Sequence, residues 1–124
     1  MKNLSLLFLA LAFTLATSVG CNHNSGPPPA LPADQIAAEF NKAFAKGPEI
    51  AKELAVGVTS SLQKKDYVGA YQAVQVLMGV PDLTKEQQMT ASRAMLTITG
   101  LTQAAGAAGD KNAADALQLH RNTR

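Results

Sequence analysis

The chain has 124 residues, enough for one small domain. Eleven Lys and Arg against nine Asp and Glu leave a net charge of +2, which excludes a surface built to hold nucleic acid by charge. A single Cys excludes an intrachain disulfide and a multi-cysteine metal site.

In chain order, the first segment is MKNLSLLFLALAFTLATSVG, residues 1–20. Met1-Lys2-Asn3 is a short positive start, and Leu4 to Ala16 is an apolar run of 13 residues. A helix needs roughly 20 residues to span a bilayer, so this run is too short. Small and polar residues follow it. This is the build of a secretory signal peptide, which is set aside from the fold. Of the 104 residues that remain, 19 are Ala. Large apolar side chains are therefore few, and a thin core is expected.

The only cysteine closes this segment. Ser18-Val19-Gly20-Cys21 resembles the lipobox of bacterial lipoproteins, a resemblance carried by residues 1–21. Gly20 and Val19 fit the pattern, and Ser18 stands where Leu is usual. The resemblance implies a diacylglycerol on the Cys21 thiol, cleavage just before it, and acylation of the new amino group. The partner at this end is then the membrane, held through acyl chains on Cys21. At ~0.8 kcal/mol per buried methylene, one chain holds marginally, but two or three make attachment permanent. Asn22 is not the Asp that marks inner-membrane retention among enteric lipoproteins. The resemblance thus implies the outer membrane, facing the periplasm, where the cell has one. The alternative is ordinary signal peptidase cleavage after Ser18 or Gly20, which leaves a free thiol near the N-terminus.

Cys21 and the stretch NHNSGPPPALPA, residues 21–33, read as a lipidated tether. Pro27-Pro28-Pro29 favours polyproline II, which rises ~3.1 Å per residue. Fully extended, such a spacer would hold the body roughly 35 Å from the lipid. His23 lies alone in it and is no metal site.

Residues 34–124 form the predicted helical domain. Asp34 is expected to cap a helix carrying Ile36, Phe40 and Phe44, ended by Gly47-Pro48. The second helix, Pro48 to Lys65, has Ile50, Leu54, Val58 and Leu62 on one stripe, with Ala51 and Ala55 beside them. Asp66 caps a third, with Tyr67, Ala70, Tyr71, Val74, Leu77 and Met78 inward, closed by Gly79 and Pro81. Thr84-Lys85-Glu86-Gln87 has the form of a capping box. It opens the longest helix, whose stripe is Ala91, Ala94, Met95, Ile98, Leu101 and Ala105. Gly106 to Gly109 should fray it, and Asp110 caps a last helix with Ala113, Ala114, Leu117 and His120 inward. No stretch alternates with the period of a strand. The fold class is all-α: about five helices in antiparallel hairpins. Gly57, Gly69 and Ala70 are expected contact points between helices two and three, against the alternative of a merely weakened helix.

Leu54 to Pro81 resembles a tetratricopeptide hairpin. Leu54, Gly57, Val58 and Ser61 follow the first-helix pattern, and Asp66-Tyr67-Val68-Gly69-Ala70 the turn and second-helix start. Lys65 stands where that family has its turn glycine. A poorer copy runs from Leu101 through Gly109-Asp110 to Ala114, offset by 44 residues. The resemblance implies a tetratricopeptide-like array; a plain small helical bundle is the alternative.

No motif for chemistry accompanies this architecture. Catalysis needs a nucleophile, a base and an orienting group together. Ser60-Ser61 has no His nearby in sequence, and Glu49, Lys52 and Glu53 read as a solvated helix face. No phosphate loop, dinucleotide fingerprint or zinc-helix motif occurs. No catalytic, cofactor-binding or metal-binding residue is predicted, and Cys21 is the one candidate site, for lipidation. The expected function is a membrane-anchored bacterial lipoprotein, not an enzyme, whose helical domain meets an unidentified envelope protein. The alternative is a small apolar-ligand or lipid carrier, with Phe40, Phe44, Met78, Met89 and Met95 lining its groove. An enclosed apolar cavity would favour the carrier, and an open groove the interaction module.

Overall fold

The computed structural model describes residues 26–123. The expected signal segment and the lipidation candidate Cys21 lie outside the described residues. The described chain is all-helical. A 3₁₀ turn at Ala33–Gln35 leads into α1 (Ile36–Ala43), α2 (Glu49–Gln63), α3 (Tyr67–Met78), α4 (Lys85–Ala107) and α5 (Lys111–Asn122). Helix α1 packs on α2 and α4, and α3 packs on the same two from the other side. Helices α1 and α3, and likewise α2 and α4, stand diagonally across the bundle with no close backbone approach. Four helices thus close a small bundle, and α5 lies outside it against α4 and the edge of α3.

The bundle core holds Ile36, Phe40, Val58, Val74, Leu77 and Ile98, all fully buried. The Phe40 and Phe44 rings meet edge to face at 5.4 Å. Between these large residues sit Ala51, Ala55, Ala70, Ala91 and Ala94, each buried. Alanine at a helix contact lets two backbones approach without loss of helix propensity. The interior is thin but filled.

Helix starts follow the sequence with one exception. Asp66 accepts a bond from Gly69 N at 2.9 Å, and Asp110 one from Ala113 N at 3.2 Å. Thr84 and Gln87 form the reciprocal capping box. Gln87 does more: its buried amide also donates to Ala43 O and Lys46 O, tying the end of α1 to the start of α4. Asp34 is the exception. It lies inside the 3₁₀ turn, and no side chain caps that turn or α1.

The α2–α3 and α4–α5 turns are the same structure 44 residues apart. In the first, Asp66 N bonds Ser61 O and Lys65 N bonds Leu62 O. In the second, Asp110 N bonds Ala105 O and Gly109 N bonds Gly106 O. Both are Schellman motifs with one left-handed residue, followed at once by an Asp cap. The left-handed residue is Lys65 (φ 58°) in one and Gly109 (φ 105°) in the other. Gly106 to Gly109 therefore ends α4 in a defined turn rather than a frayed one.

Other expectations need correction. In α2 the buried face is Ala51, Ala55 and Val58, while Ile50 is 53% exposed and Leu54 and Leu62 are half-buried. The stripe is rotated because Ala, not Ile, fits against α1 and α3. Met78 is exposed too. Gly57 and Gly69 are not contact points between helices. A Cβ on Gly57 would meet nothing within 4 Å, and one on Gly69 would meet only the cap Asp66. The close approach is at Gly106, where a Cβ would stand 3.2 Å from Ala114 N. That signal was hidden among the glycines and alanines closing α4.

The tether also ends earlier than its composition suggests. Leu31 is buried, its N–H donating to Arg93 O at 3.2 Å and its carbonyl accepting from Thr97 Oγ1. Arg93 Nε donates to Pro29 O at 2.9 Å. Polyproline-like backbone has no internal bonds, so its carbonyls are free to accept these. Burying one Leu contributes ~1.5–3 kcal/mol. Residues 29–33 thus belong to the folded body rather than to the expected tether.

Candidate interaction surface

Among the described residues no helix is long and apolar enough to cross a membrane. No cluster of three His, Cys, Asp or Glu that could hold a metal occurs among them either. Ser60 and Ser61 lie half-buried near the end of α2. Glu49 pairs with Lys52 at 3.3 Å on the surface, a contact worth ~0.2–0.5 kcal/mol.

The five residues proposed to line an apolar groove do not share one space. Phe40 and Phe44 are core. Met78 and Met89 are exposed, and Met95 is half-buried on α4. What the surface offers instead are open grooves around α5. The larger, about 800 Å³, lies between the start of α3 and α5. Its carboxylates are Asp66, Asp110 and Asp115. Asp66 and Asp110 are helix caps, so most of this acidic lining has a structural explanation.

The second groove, about 590 Å³, follows the seam of α4 and α5 over an edge of α3. Tyr71 and His120 line it, with Met95 and Leu96 from α4 and Leu117 and Arg121 from α5. Leu96 is 51% exposed. A smaller hollow of about 260 Å³ shares Gln103, Leu117 and Arg121 with it and reaches Gly106, Ala107 and Ala114. Together they run about three helical turns along α4, roughly 16 Å.

His120 is placed as expected, facing inward and half-buried. Gln75 Nε2 lies 3.0 Å from its Nδ1, and its ring meets Tyr71 edge-on at 6.0 Å. These contacts fasten the far end of α5 to α3.

The chain matches no known protein family, no curated protein and no solved structure.

Proposed function

We propose that this chain is an anchored lipoprotein of the bacterial cell envelope. Cys21 carries the lipid, and the helical domain works by contact with another envelope protein rather than by catalysis. The observation that carries the anchoring is the sequence Gly20-Cys21 directly after a 13-residue apolar run. The open form of the grooves around α5 favours protein contact over enclosure of a small ligand. Leu31 docked on α4 fits the same reading, because it starts the rigid body immediately after the spacer.

The test is Cys21→Ala with cell fractionation and metabolic labelling with palmitate. The parent chain is expected to take up label and sediment with membranes. The variant should take up none and accumulate unprocessed or soluble. Normal processing and membrane partition of the variant would overturn the lipoprotein reading.

A further inference from the structure

We infer that residues 29–31 are a clasp that ties the chain coming from Cys21 to the flank of α4. Closed, the clasp makes the anchor leave the body beside Arg93 and Thr97. Open, it lets the anchor run from the start of α1. The inference rests on the proposed anchoring at Cys21 and adds where that anchor leaves the body and how far it reaches.

The contacts of the segment run to one place. Leu31 N–H donates to Arg93 O, Thr97 Oγ1 donates to Leu31 O, and Arg93 Nε donates to Pro29 O. Arg93 and Thr97 stand four residues apart on α4, so both grip the segment from one face of the helix. From Gly26 to Gln35, Leu31 alone is buried.

These contacts are separable from the ring of helices. Helix α1 is held by Ile36, Phe40 and Phe44 and, at its far end, by the Gln87 amide. None of those side chains or bonds belongs to the clasp. A segment with one buried side chain and bonds at the surface opens at a lower free energy than the core. Proline at 29 and at 32 fixes φ and keeps the backbone extended when it is released, so closing again costs little ordering.

The consequence is a tether of two lengths. Pro29 lies eight residues after Cys21, at most about 29 Å of chain, and Ile36 lies fifteen after it, at most about 54 Å. Opening the clasp nearly doubles the reach of the body from its anchor. While it is closed, a pull on Cys21 is carried by Arg93 and Thr97 before it reaches α1.

The experiment uses the whole chain, ¹⁵N-labelled and made by cell-free synthesis in detergent so that Cys21 keeps its thiol. As the single cysteine, it takes a spin label without any substitution. Broadening of amide resonances should be strongest at Arg93 and Thr97 and fade toward Ala107, about 21 Å along α4 from Arg93. Leu31→Asp should at least halve the broadening at Arg93 and Thr97 and spread it more evenly, with helix content kept in circular dichroism. Should Leu31→Asp unfold the body, the pair Arg93→Ala and Thr97→Val, at half-buried positions, should give the same change. In hydrogen exchange the Leu31 N–H should be at least tenfold slower than an open peptide and at least tenfold faster than those of Val74 and Ile98. An unprotected Leu31 N–H, exchange in step with Val74 and Ile98, or broadening untouched by the variants each overturns the inference. So does broadening carried from a spin-labelled copy to an unlabelled ¹⁵N copy, which would place the segment on a neighbouring chain. None of these readouts needs a lipid on Cys21, so failure of the clasp and failure of anchoring are told apart.

Discussion

The two hairpins of this protein have the same turn and different interiors. Helices α2 and α3 join through Lys65-Asp66, and α4 and α5 through Gly109-Asp110, with the same Schellman bonds and the same Asp cap. Yet α3 buries Ala70, Tyr71, Val74 and Leu77, whereas α5 buries only Ala113. The turn is decided by a few backbone bonds and one capping side chain. Packing depends on what lies on the other side. Helix α3 faces α2 and α4 inside a closed ring, and α5 has one neighbour and an edge. A local motif can therefore recur without recurrence of the core around it.

The sharpest way to break this comparison is to cut a matching side chain from each hairpin. Leu77→Ala should lose about 2–5 kcal/mol, since Leu77 is fully buried in the ring. Leu117→Ala, at a half-buried position, should lose no more than about 1 kcal/mol. Urea titration followed by circular dichroism reads both. Equal losses would mean that α5 is as much part of the core as α3.

A smaller effect comes from overfilling. Ala70 is fully buried, and Leu there should cost about 1–3 kcal/mol. Ala114, its counterpart 44 residues on, is exposed at the edge of the α4–α5 contact, and Ala114→Leu should cost less than Ala70→Leu. A neutral Ala70→Leu in thermal melts would show that α2 and α3 do not pack as described.

Glycine substitutions sharpen the contrast within the second hairpin. Gly106→Val must push against the Ala114 backbone, so a loss of about 1 kcal/mol is expected. Gly57→Ala and Gly100→Ala meet nothing, and each should gain about 0.5–1 kcal/mol through helix propensity. If Gly106→Val instead raised the melting temperature, the close approach of α4 and α5 would be refuted.

The turns themselves should answer in opposite directions. Lys65→Gly relieves a left-handed residue with a side chain and should stabilise by up to about 1 kcal/mol. Gly109→Ala forces a side chain into that conformation and should destabilise by about the same amount. Two shifts of the same sign would mean that the two turns are not equivalent in solution.

Much of this architecture was legible without coordinates because it is local. Asp66, Asp110 and the Thr84–Gln87 box act within four residues, so their spacing in the chain is their geometry. The stripe Ala70, Tyr71, Val74, Leu77 is one face of one helix, and period alone identifies it. The groove was not legible, since Leu96, Leu117 and Arg121 come from two helices whose meeting depends on Gly106 and Ala114. The five aromatic and Met residues expected to line a site share no surface for the same reason. Each is apolar, but burial went to Phe40 and Phe44 and passed over Met78 and Met89.

By itself the sequence determined the helix count, the caps at Asp66, Thr84 and Asp110 and the repeated Asp-headed turn, because those depend on bonds within a few residues. It also contains the apolar run Leu4 to Ala16 and Cys21, on which the proposed anchoring rests through linear order alone. Tertiary structure decided which side of each helix is interior. It turned Ile50 outward in favour of Ala51, drew Leu31 out of the spacer and onto α4, and left α5 outside the ring. Burial is a competition for limited space among all helices at once, and a residue's own hydropathy does not settle which neighbour arrives first.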